Sequence, residues 1–150
     1  MLPLSYRLYF WGVHGVFAEI VFTGLWDFVV SHRWSLMGAT SIWSFLIYGF
    51  GSLAAERLYY SFHSRGMPLL VRGAAYVMAV YAWELSCGLL LDCFGGRGWD
   101  YTSFSYNFMG IITLEYAPLW LLGGLYFEFL MRALSRLEVK PLWKLRLKNS

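Results

Sequence analysis

Four long apolar stretches separated by short polar ones organise the chain, at about 9–30, 41–62, 69–91 and 106–134. At about 1.5 Å of rise per residue, each is long enough to cross about 30 Å of hydrocarbon as an α-helix. The last is long enough to tilt or to run past the interface. The connections are short, which predicts that consecutive helices are antiparallel neighbours. The pattern therefore predicts an all-α membrane protein, one four-transmembrane-helix domain over residues 1–150 ending in a basic tail, 135–150.

Composition supports that solvent assignment. Hydrophobic residues make up 59% of the chain and charged residues 14%, whereas a soluble domain carries about 25% charged residues. Ten of the twelve Lys and Arg fall at the N-terminus, in the second loop with its helix ends, or in the tail. Only Arg33 and Arg97 fall in the first and third loops. By the positive-inside rule both termini face the cytoplasm. Trp34, Trp43, Trp99, Tyr101 and Trp143 lie where an interfacial aromatic belt is expected. Arg7 leads straight into an apolar run with no small-residue cleavage site, which reads as an anchor rather than a removable signal. The tail interleaves basic residues with Leu and is broken by Pro141. It suits an anionic leaflet as a lipid-binding element, or equally a solvated flank. Cys87 and Cys93 read as packing residues.

An internal repeat sharpens the fold. Glu19, Asp27 and Trp34 recur 65 positions later as Glu84, Asp92 and Trp99. Met37, Gly38, Gly51 and Glu56 recur 72 positions later as Met109, Gly110, Gly123 and Glu128. The register slips once, in the longer third loop, as a duplicated helical hairpin would leave it. The expected architecture is two tandem hairpins related by a pseudo-twofold axis along the membrane normal.

Candidate chemistry centres on acids within the spans. Gly15, Glu19, Thr23 and Asp27 are spaced by four and share one helix face, and Glu84, Gly88 and Asp92 form the corresponding stripe. Glu115, three residues before Pro118, adds a third span-embedded glutamate. An ionised acid near mid-membrane costs about 2.5–3.5 kcal/mol, so these groups are expected to face the bundle interior. His14, Thr23, Tyr48, Trp83, Tyr116 and Trp120 are candidate polar and aromatic companions. Three roles fit: hydrogen-bonded helix contacts, a site for a cation, proton or cationic head group using cation–π attraction, or acid chemistry by a carboxyl pair in an intramembrane lipid enzyme. A non-catalytic adaptor or assembly subunit is a further alternative.

The loop motif Trp99-Asp100-Tyr101 precedes Thr102 and Ser103, and Asp100 is expected to cap a turn. Gly95-Gly96-x-Gly98 is turn punctuation without the lysine of a phosphate loop, so no nucleotide is implied. No hydrolase or metalloprotease motif occurs. The sequence therefore gives no catalytic residue, metal site, cofactor or nucleic-acid partner. It leaves membrane lipids, a protein partner or a second copy as partners, and the balance falls against an enzyme.

Several segments taken together carry a resemblance. Glu19 with Phe22-Thr23, Gly38 through Trp43, Ile47-Tyr48-Gly49, Glu56-Arg57, Trp83-Glu84, Trp99-Asp100-Tyr101, Phe108-Met109-Gly110 and Ile112 through Tyr116 resemble the transmembrane protein 229 family, most nearly its shorter B paralogue. That family is similar in turn to bacterial proteins described as ABC-transporter permease-like. The resemblance implies a multi-pass membrane protein and assigns no catalytic residues.

Overall fold

A computed structural model describes residues 2–136. It contains four long helices: α1 Leu4–Ser31, α2 Ile42–Ser64, α3 Leu69–Asp92 and α4 Ala117–Ser135. A two-residue-per-strand hairpin, β1 Asn107–Phe108 and β2 Ile112–Thr113, precedes α4 together with a 3-10 turn, Leu114–Tyr116. The tail from 137 onward lies outside the described residues, and with it the expectation for Lys140, Trp143 and Lys144.

Local chemistry sets the helix ends. α1 stops where His32 enters the left-handed region at φ 54° and its N–H bonds the Phe28 carbonyl at 2.8 Å. α2 starts at Ser41, whose hydroxyl accepts from the Trp43 amide at 3.3 Å. α3 follows Pro68, and α4 has Pro118 in its first turn, where the missing N–H has no intrahelical partner to lose.

Side-chain contacts fix an up-and-down order. Trp83 of α3 donates to the Ile47 carbonyl of α2 at 3.0 Å, and Phe62 of α2 lies 5.6 Å from Tyr76 of α3. α1 meets α4 through Trp11 with Phe127 and His14 with Tyr126. The main apolar core, Trp11, Tyr59 and Met131 with Phe127 and Leu130 around them, sits toward the end of the bundle that holds the chain start and the α2–α3 turn.

α1 and α3 are long and apolar enough to cross a membrane; among the described residues α2 and α4 fall short of the same measure. The shortfall follows from sequence: α2 carries Glu56 and Arg57 amid hydroxyl-bearing residues, and the shorter α4 carries Glu128 and Arg132.

The stretch 106–134 is not one helix. Its first eleven residues form the hairpin and the 3-10 turn, so α4 begins at Ala117 and Glu115 is exposed outside it. Met109 and Gly110 both take positive φ, 56° and 65°, which turns the chain back on itself. β-branched Ile111, Ile112 and Thr113 then favour extended backbone. Ile111 is fully buried and fills the space that a side chain on Gly88 of α3 would occupy. A short buried strand has the apolarity of a helix segment, which is why hydropathy merged the two.

Candidate functional site

The acids of the bundle separate into two groups by what faces them. At the end holding the chain start, Glu56 of α2 accepts from the Arg7 guanidinium and from the Trp11 indole N–H, the latter at 2.8 Å. Glu128 of α4 accepts from Arg72 through two nitrogens, at 2.6 and 2.8 Å, with Arg132 at 3.5 Å and the His63 ring at 3.9 Å. Both carboxylate side chains are only 3% exposed, so each is a buried charge with a guanidinium counter-charge.

Nearer the opposite end, Glu19 and Glu84 of the two stripes lack that company. Glu19 accepts from the Thr40 hydroxyl at 2.6 Å, and Glu84 accepts from the Tyr101 hydroxyl at 3.0 Å while its second oxygen is buried without a partner. No Lys or Arg lies within salt-bridge distance of either among the described residues. A cavity of about 600 Å³ opens beside Glu19 between α1, α2, α4 and the third loop. Glu19, Thr23, Tyr48, Tyr116 and Trp120 line it, as does His14, which is stacked between Phe10 and Tyr126. Trp99 and Tyr101 of the third loop line it as well. The His14 Nε2 and Trp120 Nε1 atoms are buried with no hydrogen-bond partner.

Loop folding delivers these groups. Gly38 brings the first loop against α1 so closely that a Cβ would overlap the Ile20 carbonyl oxygen. The Thr23 hydroxyl then accepts from the Ala39 amide at 2.8 Å, which leaves Thr40 over Glu19. In the third loop Asp100 caps as expected, accepting from the Thr102 amide and hydroxyl at 3.0 Å each. Those bonds hold its carboxyl below the usual range. Trp99 donates to the Ile111 carbonyl at 3.0 Å, anchoring the loop on the hairpin so that Tyr101 points to Glu84. Burial, then the neighbouring Glu84, pushes the Tyr101 phenol well above its ordinary value, so it stays a donor.

The remaining candidates lie elsewhere. Asp27 pairs with Arg33 at 2.6 Å and Asp92 with Arg97 at 2.8 Å, both at helix ends next to the loops. Glu115 accepts from the Thr113 hydroxyl and from the Tyr106 amide, the latter at 3.0 Å, which hold its carboxyl low; it braces the hairpin and is not among the residues lining this cavity. Trp83 is a peg between α3 and α2, standing where a side chain on Gly51 would be. Sequence reasoning about the buried acids passed over Arg7 and Arg72 as the partners of Glu56 and Glu128. The signal was present: the two arginines are 65 apart and the two glutamates 72 apart, the same offsets as the other repeated positions.

A helical membrane protein with two span-length apolar helices is the class these observations define. Over residues 7–146 the chain matches the family described as "Putative ABC-transporter type IV", and it belongs to that family. No solved structure matches it.

Proposed function

We propose that the protein is a multi-pass, permease-like membrane protein whose cavity takes a cationic species, a cation, a proton or a cationic head group, at Glu19 with Glu84 behind it. The observation that carries this reading is the pairing pattern. Two of the bundle's glutamates hold guanidinium partners and two do not; of the unpaired ones Glu19 lines an aromatic-walled cavity of about 600 Å³, and Glu84 is bonded to Tyr101, which also lines it. A half-buried carboxylate without a counter-charge, in a mostly apolar cavity, is where a cation gains most. Membership in the transporter family supports a permease-like role.

In this reading all four helices span the membrane as two duplicated hairpins, and the kinship extends to the transmembrane protein 229 family. Contacts at equivalent positions support the duplication. Arg7–Glu56 and Arg72–Glu128 are related by the 65 and 72 offsets. So are Leu8 against Gly49 and Gly73 against Leu121, in which leucine and glycine have exchanged helices. A side chain on Gly49 would stand 2.9 Å from Leu8, and one on Gly73 would stand 2.6 Å from Leu121. The guanidinium-locked end faces the cytoplasm, with both termini, because it lies on the basic side of the chain.

Titration of inorganic and organic cations and of protons into the chain in lipid nanodiscs tests this. The wild type is expected to take up one class, and Glu19→Gln with Glu84→Gln to lose it while melting near the wild-type temperature. Identical behaviour of wild type and double variant toward every cation would sink the reading.

A further inference from the structure

We infer that the cavity takes a hydrocarbon chain, drawn sideways from the bilayer through a gap between α1 and α4 at Ala18 and Gly123, so that its ligand is a membrane-dissolved amphiphile. The inference concerns the half of the cavity that the cation reading leaves unused, and it holds whatever the charge of the head group. It rests on the reading that the helices span the bilayer.

The gap follows from where the two helices meet. Nearer the chain start, Trp11 of α1 meets Phe127 of α4 at 5.0 Å between ring centroids, and His14 meets Tyr126 at 5.6 Å. About two turns further along α1, Phe22 and Trp26 meet Tyr116, just before α4, at 6.0 and 6.4 Å. Between those levels α1 presents Ala18 and α4 presents Gly123, and both residues line the cavity and are exposed. A Cβ on Gly123 would have no atom within 4 Å, whereas one on the adjacent Gly124 would stand 3.0 Å from Tyr76 of α3. Gly123 therefore belongs to the open side of α4. Rings hold α1 and α4 apart at a level where neither helix carries more than a methyl group. Beside the gap Phe17 and Val21 of α1 and Leu122 of α4 are exposed and apolar, a rim suited to lipid.

The polarity of the wall decides what can fill the space behind the gap. Around Glu19 the lining carries the hydroxyls of Thr23, Thr40, Ser41 and Tyr101. Trp11 lies eight residues before Glu19, a distance of about 12 Å along the helix. Over that length the lining becomes Gly15, Trp11, Phe127 and Leu130, with His14 and Ser52 as the polar residues among them. The Trp11 indole N–H is already given to Glu56. Water there would find few hydrogen-bond partners, and a small cation held at Glu19 does not reach so far. A methylene chain fills such a space, and the bilayer beyond the gap supplies it. An amphiphile with its head group among the hydroxyls and its chain below matches the whole cavity.

The test places the full chain in phosphatidylglycerol nanodiscs with three carbene-forming photoprobes. These are a long-chain trimethylammonium, a long-chain maltoside with the reactive group at the same place in its chain, and a chainless trimethylammonium. Labelled residues are mapped by mass spectrometry. Both long-chain probes are expected to label Phe127 and Leu130 in the cavity, and Phe17 and Phe129 on the outer faces. Gly123→Phe should cut labelling in the cavity at least about tenfold, because its ring fills the gap, and leave Phe17 and Phe129 unchanged. Ala18→Phe closes the gap from the other helix and carries the test if Gly123→Phe does not fold. Labelling of the outer faces alone, or cavity labelling that neither variant reduces, would overturn the inference. So would a disulfide between two copies of Gly123→Cys, since a second copy would then cover the gap. If no chain labels Phe17 or Phe129, the spanning reading fails with it. The head groups judge the cation reading separately. Cavity labelling by both long-chain probes that Glu19→Gln does not alter would keep the chain site and defeat the cation reading. Cavity labelling by the chainless ammonium alone would do the reverse.

Discussion

The two ends of the bundle solve the same problem, a glutamate inside an apolar structure, in opposite ways. At the end near the chain start, Glu56 and Glu128 are almost fully buried and each meets an arginine from the neighbouring helix of its hairpin. Toward the other end, Glu19 and Glu84 meet only hydroxyls, from Thr40 and Tyr101, and Glu19 stands beside open space. A buried charge with its counter-charge ties two helices together and has little left to offer a ligand. A buried acid with a single neutral donor keeps most of its hydrogen-bonding and charge capacity. The difference separates groups that hold the fold from groups that can do something else, a distinction that apolar depth along the chain does not make.

The largest effect should come from breaking a lock. Glu128→Ala strands the Arg72 guanidinium, 12% exposed, and should destabilise the chain by about 3–5 kcal/mol in denaturant unfolding from micelles. Replacing Arg72 and Glu128 together by Met should recover most of that loss, because an apolar pair leaves no charge unpaired. A double-variant loss equal to the sum of the two single losses would show that Arg72 and Glu128 are not coupled. Glu56→Ala should behave like Glu128→Ala if the two ends of the repeat are equivalent in energy as well as in position.

Next in size is the loop approach. Gly38→Ala puts a methyl group into the Ile20 carbonyl, and should cost about 1–3 kcal/mol as the loop moves off α1. Displacement of Thr40 from Glu19 should follow, seen as faster hydrogen exchange at the Ala39 amide. Glu19→Gln, by contrast, should change stability by less than about 1.5 kcal/mol, since an amide still accepts from Thr40. A loss as large as that of Glu128→Ala would place Glu19 with the locks and remove the contrast between the two ends.

The smallest effect is one of pH and belongs to the outer cap. The Asp100 and Glu115 carboxyls are both held below their ordinary values by hydrogen bonds, from Thr102 and from Thr113 with Tyr106. Groups shifted in that direction contribute stability that is complete above the unfolded values, 3.8 and 4.5, and that is lost as pH falls through the lowered folded values. Amide exchange at Thr102 and Tyr106 should therefore accelerate below about pH 4 while the helix interiors stay protected. Uniform acceleration across the chain would mean that the cap and the bundle open as one unit.

How much of this was legible without tertiary structure differs by element. The first three apolar stretches match α1, α2 and α3 closely, because helical backbone in an apolar run needs no partner to satisfy its hydrogen bonds. The start of α4 was misplaced, because Phe108 to Thr113 is apolar for a different reason: Ile111 plugs α3. Spacing by four put Glu19 and Asp27 on one stripe, yet only Glu19 faces the cavity. Asp27 is claimed by Arg33, a residue beyond the end of its helix.

Sequence by itself determined the helical membrane class, the direction of charge asymmetry and the residues able to carry chemistry, all of which depend on composition and local spacing. Tertiary structure decided which acid has a partner. Arg7 lies 49 residues from Glu56 and Arg72 lies 56 from Glu128, and only the packing of antiparallel helices brings each pair within bonding distance. The same packing leaves Glu19 and Glu84 with hydroxyls, since no Lys or Arg among the described residues comes within salt-bridge distance of either. Whether a carboxylate is a rivet or a receptor is set by its neighbours in space, and those are fixed by how the helices meet.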